Sequence, residues 1–146
     1  MGSREMMTVD LLVLDTHIWI WAVNKELDKL SNSAIQAINK AEKQRKLAVS
    51  AISVWEVGML EAKERIALTP DCLTWVNEAL SFPHLTLIPL TPEIAVFSSR
   101  LPGEIHGDPA DRIIAATCLT LSARLLTKDQ KLLAYSENSP LQVITG

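Results

Sequence analysis

Five short apolar runs, separated by stretches of helical spacing, most restrict the fold open to this chain. Val9-Asp10-Leu11-Leu12-Val13-Leu14 stops at Asp15. Leu47-Ala48-Val49-Ser50 and Leu85-Thr86-Leu87-Ile88 follow, the second between Pro83 and Pro89, and Arg124-Leu125-Leu126-Thr127 and Leu141-Gln142-Val143-Ile144 complete the set. Short, nearly continuous apolar runs suit strands buried on both faces, because a half-exposed strand would alternate. Between the runs, residues 33–46 place Ile35, Ile38 and Ala41 on one helical face and Gln36, Asn39, Lys40 and Lys43 on the other. Ser53 stands three residues before Glu56, the capping-box spacing, so a helix is expected to start there and run through Trp55, Val57, Met59, Leu60 and Ala62. Pro70-Asp71 opens another, with Leu73, Val76 and Leu80 at apolar spacing. Thr91-Pro92 and Asp108-Pro109 each set a capping side chain before a proline at the first helical position. The second pair leads into a strongly apolar helix over residues 109–123. Strands alternating with helices require right-handed crossovers and a parallel sheet covered on both sides. The expected fold is therefore α/β, a three-layer α/β/α sandwich with a mainly parallel five-stranded sheet.

A chain of 146 residues fits one domain. Residues 1–8 are set aside as an N-terminal extension, whose Met1-Gly2-Ser3-Arg4 has the look of a vector remnant, and residues 9–146 form the domain. A content of 48% hydrophobic and 21% charged residues excludes a disordered chain. No apolar run approaches the roughly 18 residues that span a membrane, and no secretory signal opens the sequence. Only Cys72 and Cys118 occur, which excludes a disulfide-dense scaffold; both are expected reduced and buried in a cytoplasmic protein. The net charge of −3 excludes a generally basic nucleic-acid binder. A nucleic-acid role must rest on a local patch, or on a metal that inverts the sign of an acidic site.

Ligands of open parallel sheets bind beyond the carboxyl ends of the strands, and the acids fall there. Asp15 ends the first strand, Glu56 lies in the helix after the second, Asp108 and Asp111 open the 109–123 helix, and Asp129 follows the fourth strand. Each has a local alternative: a turn at Asp15, a capping box at Glu56, a helix start at Asp108 and Asp111, a loop at Asp129. Asp108 suits capping best. The combination favours a common site, since four segments far apart in sequence each bring an acid to one edge. Gathered carboxylates raise one another's pKa and oppose folding unless a cation neutralises them. Oxygen ligands of this kind select Mg²⁺, with Mn²⁺ as a substitute. There is no phosphate-binding Gly-rich loop, nucleophile elbow or zinc spacing, and His17, His84 and His106 are scattered. His106, two residues before Asp108, is weighed as a substrate contact but read first as structural.

Four segments carry a family resemblance: Leu12-Val13-Leu14-Asp15-Thr16-His17, Ser53-Val54-Trp55-Glu56, His106-Gly107-Asp108-Pro109-Ala110-Asp111-Arg112 with the apolar helix behind it, and Leu125-Leu126-Thr127-Lys128-Asp129. In this order and spacing the chain resembles a PIN domain, most closely the VapC-type toxins of toxin–antitoxin pairs. The resemblance implies a metal-dependent endoribonuclease. Asp15, Glu56, Asp111 and Asp129 would be its catalytic acids, with Asp15 and Asp111 as metal ligands. Asp108 would support them, and Thr16 and Thr127 would hold a carboxylate or a metal-bound water. Arg112, Lys128, Lys131 and the Lys43-Arg45-Lys46 cluster are candidate RNA contacts, the last three residues being read first as a solvated face. The implied partners are a VapB-like antitoxin covering the acidic site, RNA, and a second copy in a homodimer, with no membrane. Trp19 and Trp21 are expected as one core and one partly exposed ring beside an antitoxin groove, and Trp55 as core. Two rivals stay open. A metal-dependent phosphatase would generally carry Asp-x-Asp, where this chain has His17. A non-catalytic partner-binding module would keep the acids for folding alone.

Overall fold

The computed structural model of the chain describes residues 10–82, 84–105 and 107–146. The expected Val9, Pro83 and His106 features thus lie outside the described residues. In chain order the elements are β1 (Leu12–Leu14), α1 (Thr16–Val23), a short 3₁₀ turn (Leu27–Lys29), α2 (Asn32–Lys43), β2 (Leu47–Ser50), α3 (Ala51–Ala62), α4 (Cys72–Leu80), β3 (Leu85–Ile88), α5 (Pro92–Ser98), α6 (Pro109–Leu121), β4 (Arg124–Thr127), α7 (Gln130–Glu137) and β5 (Gln142–Thr145). The five strands form one sheet in the order β3-β2-β1-β4-β5, every pair parallel.

Side-chain alternation along the strands builds two cores. Leu12, Leu14, Leu47, Val49 and Leu126 pack on one face with Ile18 and Trp19 of α1, Ala34 of α2, and Trp75 and Val76 of α4. Val13, Ala48 and Leu125 point the other way, onto Ile94 of α5, Ile114, Ala115 and Cys118 of α6, and Leu132 and Tyr135 of α7. This is the three-layer sandwich, and it explains the continuous apolar runs: both faces of the central strands are covered. Each large aliphatic side chain so buried contributes about 1.5–3 kcal/mol. Trp19 and Trp75 meet edge to face with centroids 5.3 Å apart.

Several local expectations change. The helix expected at Ser53 starts at Ala51, and Ser50 caps it by accepting from the Ile52 amide at 3.1 Å. Ser53 is therefore inside the helix, fully buried. Trp55 is not core: it is 54% exposed, because the rotation that buries Ser53 and Val57 turns Trp55 outward. Cys118 is buried but Cys72 only partly so, both as free thiols. Trp19 is core and Trp21 partly buried, as expected. Asp129, for which a simple loop was the local alternative, caps a helix, α7, that follows it. No described helix is long and apolar enough to cross a membrane.

Candidate active site

Strand order decides the site. β1 lies between β2 and β4, so the chain's direction across the sheet reverses between β1 and β4. A crevice opens at such a switch point. Asp15 stands at the end of β1 and caps α1, its Oδ1 accepting from the Thr16 amide at 2.8 Å. Its Oδ2 accepts from the Thr127 hydroxyl at 2.6 Å, a bond that bridges the crevice. Thr127 Oγ1 accepts in turn from the Asp129 amide at 3.0 Å. Asp129 Oδ1 then takes the amides of Lys131 and Leu132 at 2.9 and 3.0 Å. One chain of bonds thus joins the ends of β1 and β4 to the start of α7.

On the other side of Asp15, the Thr16 hydroxyl donates to Glu56 Oε1. It is also hydrogen-bonded to Ser53 Oγ at 2.9 Å. These bonds fix α3 against α1. Ser53 is the site residue that sequence reasoning missed: its spacing to Glu56 is that of a cap, and the same spacing sets both side chains on one helical face toward Thr16. Asp108 caps α6, its Oδ1 accepting from Ala110 and Asp111 amides at 2.9 and 3.2 Å. Asp111, in the first turn, is buried.

The acids share one electrostatic field. Burial, then Asp108, Asp129, Asp15 and Glu56, push the Asp111 carboxyl up to about 8. Burial also raises Glu56, against the Thr16 bond, and Asp15, Asp108 and Asp129 raise it further. Asp15 is raised mainly by burial and by Asp129, while its bonds from Thr127 and Thr16 and the nearby His17 oppose the shift. Yet among the described residues no three Asp, Glu, His or Cys side chains stand as a ready-made cation site. The fold brings the acids to one edge without closing them into a coordination sphere. Their donor chemistry, all carboxylate and hydroxyl oxygen, fits a hard divalent ion and not zinc or copper. The raised carboxyls mark excess negative charge that such an ion would relieve.

The basic candidates separate. Arg112 is half-buried, and its guanidinium donates to the carbonyls of Ser98 at 2.9 Å and Ile105 at 3.3 Å. It anchors the segment before α6, a structural task not foreseen. Lys43, Arg45 and Lys46 precede β2 and so lie at the opposite edge of the sheet from the acids, with Lys46 facing Asp10 at 4.0 Å. Lys128 and Lys131 are exposed and flank Asp129.

A family model for the PIN domain matches residues 12–138. The chain belongs to the PIN-domain family. Ribonuclease VapC22 of Mycobacterium tuberculosis is 37% identical over 132 residues, which are 90% of this chain and 97% of that protein. Among solved structures, VapBC2 from Rickettsia felis, bound to a DNA fragment from its promoter, matches this PIN domain with a TM-score of 0.67 at 19% identity. The match covers 92% of this chain and 98% of that one. A toxin–antitoxin complex from Klebsiella pneumoniae matches with a TM-score of 0.55 at 25% identity, over 84% of this chain and 90% of that one. The strand order and layers described above are thus those of the PIN fold.

The Thr127 bridge carries a prediction for this PIN domain. Thr127→Val keeps the volume but removes the donor to Asp15 and the acceptor for the Asp129 amide. We expect a loss of about 1–3 kcal/mol in denaturant unfolding, because two buried polar groups lose their partner. Thr127→Ser should recover most of it. A Val variant as stable as wild type would mean the bridge does not hold these strands' ends.

Proposed function

We propose that this PIN domain is a metal-dependent endoribonuclease, the toxin of a toxin–antitoxin pair held inactive by a partner protein. One observation carries the reading: five acids from four segments lie along the switch-point edge of a parallel sheet and bear on one another's charge, with Asp111 raised to about 8. Similarity to a protein named as a VapC ribonuclease supports RNA as substrate. Asp15 and Asp111 would hold a divalent ion, Mg²⁺ or in its place Mn²⁺. When bound, that ion supplies charge stabilisation at a phosphoryl oxygen and lowers the pKa of a water. The remaining work belongs to the chain. Thr127 holds Asp15 Oδ2 in place. Thr16 holds Glu56 by Oε1, which leaves Oε2 to accept a proton from an attacking water. Asp129 is oriented by two backbone amides on Oδ1, which leaves Oδ2 as a second acceptor. Asp108 fixes the first turn of α6 and with it Asp111. The deciding assay is cleavage of RNA by purified protein with Mg²⁺, with a chelator, and after Asp15→Asn. Chelator-resistant cleavage, or undiminished cleavage by the folded variant, would end the proposal. The phosphatase reading has no observation in its favour, since His17 is exposed and stands where a second aspartate would be needed.

The partner reading has its own feature. A groove of about 420 Å³ between α1 and α2 is lined by Leu14, Trp19, Val23, Leu27, Ile38 and Phe82. Leu27 and Phe82 are about half exposed at its rim. The Trp19 indole N–H, on its wall, is buried without a partner among the described residues. An apolar antitoxin segment seated there would cover the rim. Toxin–antitoxin complexes among the structural relatives support this choice of partner. Phe82→Glu should weaken binding of the antitoxin encoded beside this gene by about ten-fold or more. RNA cleavage should persist and stability should change by about 0.5 kcal/mol or less, as for surface sites. Titration calorimetry checks the first, and unchanged affinity would place the antitoxin elsewhere. A homodimer and a cytoplasmic location complete the proposal, by analogy with the family.

A further inference from the structure

Beside the acids lies a basic and aromatic shelf that the site described above does not use. His17 and Trp21 sit one turn apart on α1, ring centroids 5.8 Å apart and tilted by 48°. Two ammonium groups converge on the Trp21 ring, Lys29 Nζ at 5.8 Å and Lys128 Nζ at 5.6 Å from its centroid. Lys128 Nζ also donates to the Lys29 carbonyl at 2.8 Å, which ties the 3₁₀ turn to the end of β4. Lys29 pairs with Glu26 at 2.9 Å. Among the described residues Lys128 pairs with no carboxylate. Two cations therefore share one ring and one counter-charge, an arrangement that an incoming anion would relieve. The shelf adjoins the acids along the chain at both ends: His17 is two residues past Asp15, and Lys128 stands between Thr127 and Asp129. The His17 ring is exposed, backed by Trp21.

Resting on the ribonuclease reading, we propose that Lys29 and Lys128, gathered on Trp21, grip a phosphate of the RNA strand next to the one cut, while an adjoining base stacks on His17. Charge decides the occupant: a polyanion approaching five carboxylates needs a cationic hold outside them, and single strands are held by cations combined with stacking rings. Lys43 and Lys46 cannot serve, because they lie at the far edge of the sheet.

The test measures binding apart from cleavage. A fluorescent single-stranded oligoribonucleotide is titrated with the full chain in chelator, where no metal-dependent turnover occurs, at several salt concentrations. We expect Lys29→Ala/Lys128→Ala to bind about ten-fold or more weakly. Its log–log salt slope should be shallower by about 0.7, the release from one phosphate contact on a single strand. His17→Ala should weaken binding about five-fold or more with an unchanged slope, as for one lost stacking contact. Lys29→Arg/Lys128→Arg should restore binding, and Lys43→Ala/Lys46→Ala should leave it at wild-type strength. Equal affinity and slope for the double alanine variant, with an unchanged melting temperature, would overturn the proposal. So would normal RNA binding by that variant together with lost antitoxin binding, which would make the shelf a protein contact. Should the wild type bind RNA through the shelf yet never cleave it with Mg²⁺, the ribonuclease reading falls and the shelf stands.

Discussion

Asp111→Asn is expected to abolish metal-dependent RNA cleavage while leaving the metal-free protein as stable as wild type, or more so. Outer-shell changes around a metal cost about 10–100-fold in activity, and loss of a ligand at the centre of the acids should exceed that range. The stability half of the expectation is the less usual. Asp111 is buried among four other carboxylates, and its carboxyl sits at about 8. At neutral pH the folded protein must either keep a proton on it or hold a crowded charge. An amide of the same shape needs neither. Activity loss paired with equal or raised melting temperature would mark a site arranged for a cation at the expense of the apo fold. Retained cleavage by the folded variant would remove Asp111 from the reaction.

The same residues set an unusual pH dependence for the metal-free protein. Asp111 has a folded-state pKa of about 8, against the ordinary aspartate value of 3.8 in the unfolded chain. Between those values the folded state binds the proton and the unfolded state does not. The stability of the apo protein must therefore fall as pH rises, from about 4 until about 8. Asp111 alone contributes at most one proton, about 1.4 kcal/mol per pH unit. Asp15 and Glu56, also raised, act with the same sign. Below about pH 4 the penalty is absent, because the groups are neutral in both states. Added Mg²⁺ should reverse the trend. Its stabilisation, about 2.7 kcal/mol at a hundred times its dissociation constant, should be full near pH 8 and small near pH 5, where protons compete for the carboxylates. Melting curves at pH 5 and pH 8, with chelator and with Mg²⁺, read both effects. An apo protein more stable at pH 8 than at pH 5 would contradict the crowding of the acids, and Asp111→Asn should flatten the apo curve.

Much of this was legible in the sequence because it is local. A run such as Leu47-Ala48-Val49-Ser50 is apolar on both faces, which states that both are covered. Asp71, Thr91 and Asp108 announce helix starts because a side-chain oxygen answers a free amide in the next turn. Parallel strands then force the acids at their carboxyl ends onto one edge, whatever their lateral order. Other features are not local. Ser53 and Glu56 have the spacing of a cap, and only the packing of α3 against α1 turns both toward Thr16 and leaves Trp55 in solvent. Arg112 reads as a phosphate contact until the segment 98–105 folds back and its carbonyls take the guanidinium. Spacing alone therefore determined most of the elements, their parallel direction and the acidic edge, but not helix α7. The order β3-β2-β1-β4-β5, which sets Asp15 beside Thr127 and gathers two lysines on Trp21, was decided by the tertiary structure. Which strands become neighbours depends on how the covering helices fill each face, a property of the whole core that no single segment encodes.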